Sequence, residues 1–189
     1  MKPAARNRLR IIGGRWRGRP VPFPPVPGLR PTPDRVRETL FNWLQPVIAG
    51  ARCLDLFAGS GALGLEAASR GAAEVVLVER ETRVVEGLQD LVRRLDAPEV
   101  QVVRADALAW LANPVRAFDV VFLDPPFAES ELLADCARRL EDGGWLAPGA
   151  YLYLEAGGRA GLPPLPAAWR LVRSKRAGRV GYHLAVRDA

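Results

Sequence analysis

From residue 51 onward, apolar positions fall into short unbroken runs separated by stretches with helical spacing. Cys53-Leu54-Asp55-Leu56-Phe57 reads as one strand and Glu74 to Glu79, with Val75-Val76-Leu77-Val78 inside it, as a second. Val100 to Val103, Phe118 to Leu123 and Ala150 to Leu154 repeat the pattern. Between them, Leu63 to Arg70, Thr82 to Leu95, a short stretch ending at Trp110, and Ser130 to Leu140 read as helices. Gly143-Gly144 closes the last of these. Residues 171–175 and 180–187 predict a terminal antiparallel pair across Gly178. Strands alternating with helices, the strands apolar throughout, predict an α/β, Rossmann-like fold. Its mostly parallel seven-stranded sheet carries helices on both faces. Such sheets bind ligands at the carboxyl ends of the strands, near the switch in strand order.

The pattern differs before residue 51. Short apolar runs broken by Gly13-Gly14 in residues 9–19 suggest a small hairpin or extended arm. Residues 20–33 hold seven prolines in fourteen positions, which predicts an extended linker rather than a regular element. Thr32-Pro33-Asp34 then reads as a helix start, with threonine as cap and proline at the first helical position. Val36, Leu40, Trp43 and Leu44 share one side of that helix, and Pro46 is expected to stop it. The expected organisation is an arm and linker over 1–33 and one domain over 34–189. At 189 residues the chain is long enough for one well-buried core.

Charge sharpens the picture. Residues 1–37 hold ten basic groups and one acidic, residues 38–155 ten and nineteen, residues 156–189 seven and one. Basic ends around an acidic middle predict a positive face for a polyanion. Arg10, Arg15, Arg17, Arg19, Arg30, Arg35 and Arg37 are the candidate phosphate contacts; Trp16 either stacks on RNA or anchors the arm. Two distant cysteines, Cys53 and Cys136, and one histidine, His183, argue against a disulfide scaffold or a metal site. No apolar stretch approaches a membrane span and no signal peptide is visible, so a reducing cytoplasm is expected.

Asp55-Leu56-Phe57-Ala58-Gly59-Ser60-Gly61-Ala62-Leu63-Gly64 follows the first strand of the alternating region and opens a helix. Glycines there let the backbone approach a ligand, and the helix start offers unpaired N–H groups. The spacing fits a dinucleotide loop, or simply a tight strand-to-helix turn. Glu79, followed by Arg80, ends the second strand, where a carboxylate can bind both ribose hydroxyls. A nicotinamide dinucleotide and S-adenosylmethionine both remain open on this ground. Asp55 favours the second: a carboxylate repels a pyrophosphate but suits an ammonium and a sulfonium. Asp106, before Ala107, can accept from an adenine amino group, cap the following helix, or do both.

Phe118 to Leu123 ends in Asp124-Pro125-Pro126-Phe127. Two prolines end the strand abruptly and leave carbonyls unpaired. One reading is a strand terminator with a buried ring. The other is a site for a planar base bearing an exocyclic amine. Phe127 would stack on the base, worth roughly 1–3 kcal/mol. Asp124 and the Pro125 carbonyl would accept the amine hydrogens.

These residues resemble those of class I S-adenosylmethionine-dependent methyltransferases with an Asp/Asn-Pro-Pro-aromatic motif. More closely, the chain resembles the RsmD family of bacterial 16S rRNA guanine-N2 methyltransferases. The resemblance includes Arg10-Ile11-Ile12-Gly13-Gly14, Trp16-Arg17-Gly18, Leu29-Arg30-Pro31-Thr32, Asp34 to Leu44, Asp55 to Glu66, Asp124 to Phe127 and Glu141 to Leu146. It implies methylation of N2 of guanine 966 in 16S rRNA, on a partly assembled small subunit. S-adenosylmethionine would be the donor, S-adenosylhomocysteine the product, with no metal and a monomeric enzyme. Carried over by motif, Asp55, Phe57, Ala58, Gly59, Ser60 and Gly61 would surround the methionine part. Glu79 and Arg80 would meet the ribose, Asp106 and Ala107 the adenine, and Asp124, Pro125, Pro126 and Phe127 the target base. The rivals are a nicotinamide oxidoreductase, an adenine-N6 methyltransferase and a non-catalytic RNA-binding assembly factor.

Overall fold

A computed structural model describes residues 7–126, 130–157 and 161–188. Phe127 of the proposed base site lies outside the described residues. The elements run β1 (Arg8–Arg10), a single 3-10 turn (Gly14–Trp16), β2 (Pro20–Pro22), α1 (Asp34–Ile48), β3 (Arg52–Asp55), α2 (Ala62–Ser69), β4 (Glu74–Glu79), α3 (Thr82–Leu95), β5 (Val100–Arg104), α4 (Ala107–Trp110), β6 (Phe118–Leu123), α5 (Ser130–Asp142), β7 (Leu146–Gly157), β8 (Trp169–Ala177) and β9 (Val180–Arg187).

The main sheet has seven strands in the order β5-β4-β3-β6-β7-β9-β8. Strands β3 to β7 pair in parallel, and β9 runs antiparallel between β7 and β8. Alternation along each strand divides the core. Cys53, Val75, Leu77, Val120 and Phe122 pack with α1, α2 and α3 on one face. Leu54, Val76, Val78, Val121 and Leu123 pack with α4 and α5 on the other. Strands buried on both faces have no polar side to show, hence their unbroken apolar runs. After β3 the chain builds toward β4 and β5; after β6 it builds the other way. The order therefore switches between β3 and β6, and a crevice opens beyond their carboxyl ends.

Three local expectations need correction. Pro20–Pro22 is a strand, antiparallel to β1 with Leu9 opposite Val21. The prolines stand two apart, so both missing donors fall on the strand edge away from β1, while Val21 between them is fully buried. Pro33, not Thr32, is the residue before α1; no side chain caps the helix, and the Pro33 carbonyl accepts from Val36 and Arg37 N–H at 3.0 Å. Pro46 lies inside α1 rather than ending it. Proline removes only its own donor near the end of a helix, and burial of Ile48 holds the last turn in place.

The amino-terminal hairpin is docked. Leu9, Ile11, Trp16 and Val21 are buried in the same cluster as α1, α2 and α3. Its polar anchor is Glu66 of α2, which is fully buried. Glu66 accepts from the N–H groups of Ile12 at 2.9 Å and Gly13 at 2.8 Å, from Arg70 Nε at 2.8 Å and from Arg37 Nη1 at 3.5 Å. Ser69 repeats the device, accepting from Trp16 N–H and donating to the Gly13 carbonyl. Gly14 has φ +73°, and a Cβ there would stand 1.8 Å from the Ser69 carbonyl oxygen, so only glycine permits this approach.

Candidate active site

The crevice at the switch point opens into a cavity of about 670 Å³. Its floor is the loop from β3 into α2. Gly59 and Gly61 have φ of +51° and +78°. Both are left-handed conformations that bend the backbone sharply enough to start α2 at Ala62. Asp55, at the end of β3, is buried; one oxygen accepts from Gly64 N–H at 3.2 Å. Burial raises its pKa to about 7 against the opposing pull of its backbone hydrogen bonds, with the Glu79 charge adding to the rise.

Glu79 ends β4 and braces the same loop. One oxygen accepts from Gly59 N–H at 2.9 Å, the other from the N–H groups of Arg80 and Glu81 at 2.8 Å. Asp106 follows β5 and caps α4, taking Leu108 and Ala109 N–H on a single oxygen. Both N–H groups fall on one oxygen, so the cap leaves the second out of these bonds. Asp55, Phe57, Ala58, Gly59, Ser60, Glu79, Arg80, Asp106 and Ala107 all line the cavity, as do Asp124, Pro125 and Pro126. Gly61 belongs to the turn beneath it.

Two features of this site were not legible in the sequence. The segment from Val26 to Pro33, expected only as linker, forms a wall of the cavity. Glu155, on β7, is buried and also faces the cavity. It accepts from the Tyr153 hydroxyl at 2.5 Å and lies within hydrogen-bonding reach of Asp124. Burial, then the charges of Glu155 and Asp55, push the Asp124 carboxyl well above its ordinary pKa. Its position at the end of a parallel strand was the available signal for Glu155, but pairing it with Asp124 required knowing that β7 lies beside β6.

Two of the candidate RNA contacts are buried, which overturns the assignment of Arg37 and decides between the two roles open to Trp16. Arg37 is fully buried, donating to the Thr32 and Arg10 carbonyls at 3.1 and 3.0 Å, to Asp34 at 2.5 Å and to Glu66. A guanidinium spent on four internal acceptors meets no phosphate. Trp16 is 4% exposed and anchors the arm instead of offering a stacking face. Arg10, Arg15, Arg17, Arg19, Arg30 and Arg35 are exposed. Arg10 pairs with Asp34, and Arg15 with Glu99. Arg170, Arg173, Lys175, Arg176 and Arg179, counted in the basic carboxyl-terminal end but not singled out by the sequence, are exposed on the edge strand β8 and its turn.

A cavity with Asp55 and Glu155 buried in its wall and Asp124, half-buried, beside them, all three held above their usual pKa, suits a ligand that brings positive charge. It is equally ill suited to a pyrophosphate. Sheet order, glycine turn and acidic cavity together define a class I S-adenosylmethionine-dependent methyltransferase.

Known proteins narrow the class. A family model described as "Conserved hypothetical protein 95" matches residues 9–186. Ribosomal RNA small subunit methyltransferase D of Escherichia coli is 52% identical over 183 residues, covering 97% of this chain and 92% of that protein. Its namesake in Haemophilus influenzae is 42% identical over 186 residues, covering 96% and 95%. Among solved structures, a putative methyltransferase from Escherichia coli superposes with a TM-score of 0.91 at 49% identity, covering 97% of this chain and 99% of that one. An RNA methyltransferase from Salinibacter ruber in complex with S-adenosylhomocysteine shares the fold, with a TM-score of 0.64 at 17% identity, covering 84% and 94%. The chain belongs to the ribosomal RNA small subunit methyltransferase D family.

Proposed function

We propose that this protein methylates the exocyclic N2 of a guanine in 16S rRNA, in the small ribosomal subunit or an assembly intermediate of it. The observation that carries the proposal is the placement of Asp124 and Pro125 on the same cavity as Asp55, at the ends of the adjacent strands β6 and β3. The names of the curated relatives support rRNA as the substrate.

In this reading Asp55 and the turn through Gly61 hold the charged methionine end of S-adenosylmethionine, Glu79 and Arg80 the ribose, and Asp106 and Ala107 the adenine. Bound there, the cofactor supplies a methyl group on a sulfonium, whose carbon–sulfur bond breaks with both electrons kept by sulfur. The protein's own task is positioning, since an already activated donor needs no covalent enzyme intermediate. Asp124 and the Pro125 carbonyl accept the amine's two hydrogens, which aims its lone pair at the methyl carbon. As the new carbon–nitrogen bond forms, the amine sheds a proton, and Asp124 accepts it. A carboxylate with a raised pKa is a stronger base than an ordinary one. Phe127 stacks on the base. The exposed arginines of the hairpin, Arg10, Arg15, Arg17 and Arg19, with Arg30 of the segment that follows and Arg35 of α1, hold the phosphates.

The test is methyl transfer to small subunits from cells lacking this protein, followed by mapping of the modified nucleoside. N2-methylguanosine is expected, and Asp124→Ala should lower kcat at least 100-fold while S-adenosylhomocysteine still binds. N6-methyladenosine would refute the base assignment. Unchanged transfer by Asp124→Ala would refute the mechanism.

A further inference from the structure

We infer that Glu155 accepts a hydrogen bond from N1–H of the target guanine and thereby excludes adenine from the site. This deepens the proposed function and rests on it.

The placement follows from the sheet. Leu123 of β6 is registered against Leu154 of β7, so Asp124 and Glu155 occupy the next position on neighbouring strands. Neighbouring strands lie about 4.8 Å apart, so carboxyl groups carried at matching positions can converge on one base edge. Both carboxyl groups line the cavity.

Glu155 is 6% exposed and stands beside a second, half-buried carboxyl group, Asp124. That arrangement costs stability unless something offsets it. The Tyr153 hydroxyl satisfies one oxygen of Glu155 and fixes its direction, but brings no positive charge. Nor does any ion pair reach Glu155 among the described residues. A ligand that supplies hydrogen-bond donors would complete the pair.

Guanine and adenine differ at this edge. Guanine presents N1–H beside the N2 amine, two donors in a row. Adenine presents the N6 amine beside N1, which has a lone pair and no hydrogen. Two adjacent acceptors fit the first and oppose the second. Burial raises the Glu155 carboxyl above its ordinary pKa, but Tyr153 and Asp124 both donate to it, and in the bond the two carboxyl groups share Asp124 is the donor. Glu155 is thus the member that stays an acceptor. The positive charge of a bound sulfonium would favour loss of the Asp124 proton to solvent, and the carboxylate then accepts from the amine.

A site built around a fixed acceptor rejects an analogue lacking the matching donor far more strongly than a shape-matched apolar pocket does. The probe is 2-aminopurine, which keeps the N2 amine but has a bare N1. Small subunits are reconstituted with 16S rRNA carrying guanine or 2-aminopurine at the mapped position. Native enzyme should favour guanine on the order of 100-fold in kcat/KM. Glu155→Gln can donate to a bare N1, so its preference should shrink to less than about 10-fold, chiefly by losing rate on guanine. Tyr153→Phe frees Glu155 to turn and should give an intermediate ratio, which keeps the test decisive if Glu155→Gln folds poorly. Folding and the cofactor site are followed by Tm and by S-adenosylhomocysteine titration. Equal losses on both bases, in either variant, would make Glu155 structural and overturn the inference. A mapped product other than N2-methylguanosine from native enzyme would instead overturn the underlying function, and the inference with it.

Discussion

Glu66 offers the most direct test of how the hairpin is held and why that matters for the cavity. Replacing it with alanine removes four acceptor contacts at once: two to backbone N–H groups of the hairpin, one to Arg70 and one to Arg37. Arg37 keeps the Thr32 and Arg10 carbonyls and Asp34, but its buried charge loses the buried carboxylate it pairs with. Removing one partner of a buried ion pair costs about 3–5 kcal/mol. For a chain of this size that is a Tm decrease of roughly 6–20 °C. Glu66→Gln keeps one acceptor oxygen and should fall about halfway between. The effect should reach the ligand, because residues 26–33 continue from the hairpin into the cavity wall. Calorimetry gives Tm, limited proteolysis reports release of the hairpin, and S-adenosylhomocysteine titration reports the cavity. A Glu66→Ala protein that melts within about 2 °C of native would refute the clamp; one that melts early but binds ligand as tightly would refute the link to the cavity.

Two further outcomes follow. Asp55 has a folded pKa near 7, against about 3.9 unfolded, so the native state binds the extra proton between these values. The ligand-free protein should therefore lose up to about 4 kcal/mol as pH rises from about 4 to about 7, and no more from this group above that. Asp55→Asn should melt above native at pH 8 and match it near pH 4, yet bind S-adenosylmethionine more weakly; no pH-dependent gap in Tm would refute the buried carboxyl. Gly14 and Gly18 separate strain from collision, since both have positive φ but only Gly14 faces the Ser69 carbonyl. Gly18→Ala should cost about 1 kcal/mol and Gly14→Ala at least about 3, read from urea midpoints; equal costs would refute the close approach.

Much of the fold is written locally. Periodicity alone places the limits of Glu74–Glu79, Thr82–Leu95 and Phe118–Leu123, because fully buried strands and a two-faced helix leave a direct trace in the order of residues. Asp55, the glycine turn, Glu79 and Asp106 were legible for a related reason: in a parallel sheet, the residue just past each strand faces the ligand. Arg37 was misread because composition cannot tell an arginine that meets solvent from one that closes a buried hydrogen-bond set, and Trp16 stayed open between two roles until its burial was known. Pro20 and Pro22 were misread because their tolerance depends on which side of a paired strand is exposed.

The chain by itself determined the strands, the helices, the glycine turn and the aspartates at strand ends, since each depends on neighbours a few residues away. Tertiary structure alone decided that β7 lies beside β6, which brings Glu155 to Asp124 from 31 positions away. It also decided that Glu66 holds the hairpin and that Val26 to Pro33 closes the cavity. Those contacts follow from how the layers pack, and packing joins residues that no pattern along the chain connects.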